Sequence, residues 1–102
     1  MKVQIYQMRR DLDNYGDLFN SDYYTLSKTI DFKKNLKDFY ELKYELDVDD
    51  SKSKDNILND IGIMFSTNLP DDFSGHRLTM SDVIIIDDDM VIRDTYGFQD
   101  IE

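Results

Sequence analysis

Four consecutive β-branched residues, Val83-Ile84-Ile85-Ile86, leave this chain few ways to fold. Branching at Cβ favours extended backbone, and the run has no polar alternation, so it reads as a strand buried on both faces. Asp87-Asp88-Asp89 ends it, because three adjacent carboxylates stay in water and Asp favours turns. Met90-Val91-Ile92 then begins a second strand, which gives a hairpin with an acidic tip. Upstream, Pro70 to Gly75 is turn chemistry leading into His76. The stretch from Leu69 to Phe98 holds the chain's single proline and single histidine. It is the expected centre of the fold.

The remaining elements are read against that centre. Lys2 to Met8 alternates, Val3 and Ile5 against Gln4 and Tyr6, as a first strand does. Arg9 to Ser21 is turn-rich around Asp13-Asn14-Tyr15-Gly16-Asp17, and Arg9-Arg10 reads as a solvated pair. Tyr23, Leu26 and Ile30, with Phe19 before them, are spaced for one amphipathic helix capped by Ser21 or Asp22. Lys33-Lys34-Asn35-Leu36-Lys37 reads as an exposed basic connector. From Phe39 to Val48 the period is two: Tyr40, Leu42, Tyr44, Leu46 and Val48 on one face, Glu41, Lys43, Glu45 and Asp47 on the other. A helix capped by Ser53 or Asp55 then runs to about Ser66 with Ile57, Leu58, Ile61, Met64 and Phe65 inward, and Asn68 and Pro70 end it. The order predicts an α+β fold: one small domain over residues 1–102, with a mainly antiparallel sheet of about four strands and one or two helices packed on one face.

Composition narrows the function classes. With no cysteine, neither a disulfide framework nor a thiolate metal site is available. No apolar run approaches a membrane span, so the expected location is the cytoplasm of a bacterial host. The formal charge is −10, and it is unevenly placed. Residues 1 to 46 balance Lys and Arg against Asp and Glu, whereas residues 47 to 102 set Lys52, Lys54, Arg77 and Arg93 against a large excess of carboxylates. Such a surface repels phosphate backbones, which excludes direct nucleic-acid binding through that half. Two readings of the charge stand: solubility, or competition with nucleic acid for a basic protein groove.

Pro70-x-Asp72-Phe73-x-Gly75-His76-x-Leu78-x-x-Ser81-Asp82-Val83, followed by Tyr96-Gly97-Phe98, resembles the YodL-like domain of plasmid, transposon and phage proteins. Val3-Gln4-Ile5-Tyr6-Gln7-Met8 is similar to that family's first strand. The resemblance is good over the last third of the chain and thin over residues 9 to 50. A common form of the motif has Ser after the His and Ser-Val-Ser-Asp before the strand, where this chain has Arg77 and Thr79-Met80-Ser81-Asp82. The resemblance implies a mobile-element setting and no catalytic set.

His76 lies among Asp71, Asp72, Ser74, Ser81 and Asp82, residue types that can build an acid–base or nucleophile set. The bland reading makes His76, with Gly75, Asp82, Tyr96 and Gly97, structural: a histidine that bonds backbone to fix the approach to a strand. Asp87-Asp88-Asp89 lacks the alternation, central glycine and distal glutamate of a calcium loop, so neither a metal nor any other cofactor is expected. Charge asymmetry and the resemblance together predict a non-catalytic inhibitor of anti-CRISPR type. Its carboxylates Asp47, Asp49, Asp50, Asp71, Asp72, Asp87, Asp88 and Asp89 would form one ridge against a protein partner with a basic groove, such as a Cas9-type nuclease. An accessory domain of mobile-element proteins is the alternative, and a hydrolase using His76 a third.

Overall fold

In a computed structural model, residues 1–101 are described. The chain order is β1 (Lys2–Met8), α1 (Tyr15–Leu18), α2 (Tyr23–Ser27), α3 (Phe32–Phe39), β2 (Tyr40–Asp47), α4 (Lys54–Thr67), β3 (Val83–Ile86), β4 (Asp89–Asp94) and β5 (Gly97–Asp100). The strands form one antiparallel sheet in the order β2-β1-β3-β4-β5. The fold is α+β with five strands rather than about four, since Tyr96-Gly97-Phe98 does not close β4 but turns the chain into β5. Gly97 has φ +85°, the left-handed backbone such a turn needs and side chains resist.

The β-branched run lies at the middle of the sheet and divides its side chains between two cores. Ile84 and Ile86 join Val3, Ile5 and Val91 under Ile57, Leu58, Ile61 and Phe65 of α4. Val83 joins Tyr6, Met8 and Ile92 under Leu18 of α1, Leu26 of α2, and Phe32 and Leu36 of α3. Each buried residue of this size contributes about 1.5–3 kcal/mol, so the strand anchors both layers. Ile85 is the exception: it is only half-buried, beside α3. Helices therefore cover both faces, not one. A strand apolar on both sides demands that cover, and the short helices of the first half supply it.

Two local readings change with the structure. Residues 33–37 are not a connector but lie within α3, two short helical turns that meet at a kink at Asn35 (φ −120°, ψ 22°): Asp31 caps the helix by accepting from the Lys34 amide at 3.2 Å, and Phe32 and Leu36, four apart, are buried. The lysines are its wet side. The helix expected around Tyr23 to Ile30 is shorter, although Asp22 caps it by accepting from the Thr25 amide at 2.8 Å. Helix α4 runs as expected from its Ser53 cap.

The strict alternation of β2 also divides. Ile5 pairs with Tyr44 but Tyr6 pairs with Leu42, so Lys43 is an extra residue and a β-bulge. One inserted residue reverses the inward side. Tyr44 and Leu46 consequently pack on the α4 core while Tyr40 is buried in the other.

Ile84→Asp is expected to abolish the cooperative thermal transition, because an unpaired charge at a wholly buried site exceeds the stability of a small domain. Glu41→Ala, exposed at the β2 edge, is expected to change unfolding free energy by no more than about 0.5 kcal/mol in denaturant titration. Equal tolerance at the two positions would contradict this assignment of faces.

Candidate functional site

The segment between α4 and β3 is pinned at both ends and folds over one residue of β1. Its Leu78 amide donates to Phe65 O at 2.9 Å, and Phe73 stacks edge-on against Phe65 with centroids 4.9 Å apart. The residue it covers is Gln7, whose side chain points to the α4 side beyond the helix end and is 1% exposed. The Gln7 amide treats the His76 backbone as a strand neighbour would: Oε1 accepts from His76 N at 3.1 Å and Nε2 donates to His76 O at 2.8 Å. Gly75 is required by this closeness. A Cβ there would stand 2.1 Å from Gln7 Oε1 and 2.6 Å from Phe73 Cζ.

Asp82 is the acidic member of the cluster. It continues the β1–β3 register, so it stands across from Gln7 and its Oδ2 accepts from Gln7 Nε2 at 3.0 Å and from Thr79 N at 3.0 Å. Its Oδ1 is buried without a partner. Burial pushes the carboxyl up to about 7, against the two hydrogen bonds that pull it down. Next to it, Ser81 has φ 89°, its Oγ accepts from Asn20 N at 3.3 Å, and its carbonyl accepts from Tyr40 Oη at 2.7 Å. Burial raises the Tyr40 phenol far above its ordinary range, and the Asp82 charge adds to this. Tyr40 therefore acts as a fixed donor.

His76 completes the cluster without gaining a nucleophile. Its Nδ1 lies 2.7 Å from Arg77 O, which places the proton there, and its ring meets Phe19 edge-on at 5.5 Å. Its Nε2 is buried and unpartnered. Among the described residues no hydroxyl bonds the imidazole, and Ser81 Oγ is already engaged. A cleft of about 380 Å³ opens beside His76, walled in part by Arg10, Glu41 and Lys43. The arrangement is a clasp that ties the 73–82 segment to the sheet. Gln7, Tyr40 and Thr79 are members that the sequence alone does not assign to a site; a glutamine in an alternating strand gives no sign that a loop will cover it.

The eight ridge carboxylates are not all together. Asp47 pairs with Lys2 across β1–β2, Asp87 N donates to Lys2 O at 2.8 Å, and Asp87 Oδ1 accepts from Lys2 N at 2.9 Å. Asp49 and Asp50 follow Asp47, and Asp88 and Asp89 follow Asp87, so two acidic turns flank the start of β1 with all six side chains exposed. The Met1 ammonium is held there by Asp50, which raises its pKa, with Asp87 and Asp47 adding. Asp71 and Asp72 do not join them: Tyr44 Oη donates to Asp72 Oδ1 at 3.0 Å, three strand positions or roughly 10 Å up β2 and over the helix-covered face. The expected ridge of three turns is a patch of two. Tyr96, expected to be structural, is 96% exposed, so its ring supports no core. Among the described residues no three His, Cys, Asp or Glu side chains converge as a metal-holding set.

The YodL-like domain family model matches residues 2–102. The chain belongs to this family. Gly75, His76, Ser81 and Asp82, separated in sequence, gather at the clasp, and Pro70 and Phe73 belong to the segment that carries it. No curated protein and no solved structure matched the sequence. No helix of the described residues is long and apolar enough to cross a membrane.

Two outcomes follow from the clasp. Asp82 holds its proton in the folded chain at pH values where the unfolded chain has lost it. Its stabilising share is therefore full below about pH 4 and is lost as pH rises to about 7, a change on the order of 4 kcal/mol. The stability of the wild type relative to Asp82→Asn is expected to fall across that window in denaturant titrations; a pH-independent difference would contradict it. Gly75→Ala is expected to lower stability by about 1–3 kcal/mol, because it parts Gln7 from the His76 backbone and strands buried polar atoms.

Proposed function

We propose that this YodL-like domain is a non-catalytic, mobile-element-encoded inhibitor that docks on a basic, nucleic-acid-holding groove of a host defence protein, such as a Cas9-type effector, in the bacterial cytoplasm. The observation that carries this reading is the meeting of Asp47, Asp49 and Asp50 with Asp87, Asp88 and Asp89 at one end of the sheet. These exposed carboxylates give a dense negative field opposite a surface built for phosphates. Lysine and arginine side chains in such a groove would make charge-assisted hydrogen bonds to them, and long-range attraction would steer the encounter. The backbone under the patch is fixed: the two turns are bonded to Lys2 of β1 and to Met1 just before it, so little ordering entropy is lost on docking. His76 takes no chemical role in this reading, because its ring is committed to the clasp.

The test is binding of the purified domain to a Cas9-type protein with and without guide RNA. Bound guide is expected to exclude the domain, and association is expected to slow steeply with salt, since exposed charges are screened beyond about 8–10 Å near physiological ionic strength. Combined replacement of Asp47, Asp49, Asp88 and Asp89 by Asn, which spares the Asp50 and Asp87 contacts to β1, is expected to weaken binding without loss of stability. Binding that ignores salt, or that survives the fourfold replacement, would return the charge to a solubility role and leave the domain as an accessory module.

A further inference from the structure

At the other end of β4 from the acidic turns, two tyrosines stand out of the surface, Tyr24 of α2 at 71% exposure and Tyr96 of the β4–β5 turn at 96%. They line one groove of about 280 Å³ with Phe98 and the carboxylates Asp22 and Asp94. Large exposed rings are costly to keep in water unless something covers them, and here they lie beside negative charge. The chain itself demonstrates what these rings take: the Lys28 ammonium lies 4.4 Å over Tyr24, and the Arg93 guanidinium lies 5.8 Å over Phe98. Both carboxylates are oriented by the backbone, and Asp22 is bonded by the Thr25 side chain as well. Asp22 Oδ1 accepts from Thr25 N at 2.8 Å, and Asp94 Oδ1 accepts from Tyr23 N at 3.2 Å and Thr95 N at 2.9 Å, so the second oxygen of Asp94 remains for a ligand. The Thr25 bonds hold the Asp22 carboxyl below its ordinary range, so it is charged at neutral pH. Arg93 does not neutralise the groove by an ion pair. It is spent on the turn's backbone, donating to Asp94 O at 2.6 Å and Gly97 O at 2.9 Å.

We infer that the Tyr24–Tyr96 groove is a docking site for a lysine or arginine side chain of a partner protein, with the cation against the Tyr96 ring, beside the Tyr24 ring that Lys28 already covers, and hydrogen-bonded to the free oxygen of Asp94. Charge complementarity selects this occupant: Lys28 already answers part of the Asp22 charge, an apolar side chain would leave Asp94 unanswered, and an anion would be repelled by it. The site is separate from the acidic turns, since the length of β4 lies between Asp89 and Asp94. A basic partner held at the acidic end would gain a second, side-chain-specific contact here.

The experiment is an NMR titration of the full chain with three blocked tripeptides, acetyl-Gly-X-Gly-amide with X as arginine, lysine or norleucine. The cationic peptides are expected to produce saturable shifts of the Tyr24 and Tyr96 ring signals, with an affinity about two- to fivefold above that of norleucine. In the Tyr24→Ala and Tyr96→Ala double variant, which removes only exposed side chains, the cationic preference should vanish, and Asp88→Asn with Asp89→Asn should leave it unchanged. Equal response to norleucine, absence of any saturable shift, or persistence of the preference in the double variant would overturn the proposal. Loss of the shifts in the Asp88 and Asp89 variant would assign the cation to the acidic turns and also overturn it.

Discussion

A four-residue strand that buries both of its faces obliges the chain to cover two sides of one sheet. Val83 and Ile84 point in opposite directions, as neighbours on a strand must, and each lands in a separate apolar core. The long helix α4 can close only one of these. The other is closed by three short helices from the first half of the chain, none of which has the length to be stable alone. They persist because Leu18, Leu26, Phe32 and Leu36 are held against Tyr6, Val83 and Ile92. Tertiary burial, more than helical propensity, maintains them.

The same geometry sets where polar chemistry survives inside. Gln7 and Asp82 sit one register step beyond the paired core of β1 and β3, where α4 has already ended. An open sheet end at that point would leave backbone groups to water. The 73–82 segment covers it instead, and the glutamine amide substitutes for a missing strand by bonding both the N–H and the C=O of His76. The cost of this solution is concentrated in Asp82, which is buried with one oxygen unanswered. A proton on that carboxyl relieves the cost, so Asp82 ties the domain's stability to pH.

Surface charge follows the ends of the sheet. The acidic turns gather where β1 begins, and the tyrosine groove lies where β4 ends. The clasp and cleft of His76 lie at the other end of β1, near the Arg10 and Lys43 side chains.

Element types around strong hydrophobic patterns were legible from sequence alone. The β-branched run, the alternation of β1 and the Ser53-capped α4 stripe each impose a period that one structure satisfies, because side-chain direction is set by backbone geometry within a few residues. The sequence likewise placed His76, Gly75, Asp82 and the acidic turns in loops. Tertiary structure alone decided the rest. The lysine run of 33–37 is helical on either side of a kink at Asn35 because Phe32 and Leu36 find a sheet face whose existence depends on residues about fifty positions away. Lys43 is a bulge because β1 fixes the register on either side of it. Gln7 is interior because a distant segment folds over it, and Asp72 leaves the acidic patch because Tyr44 holds it elsewhere. Local patterns report which way a side chain points; what meets it there is set by contacts between residues far apart in the chain.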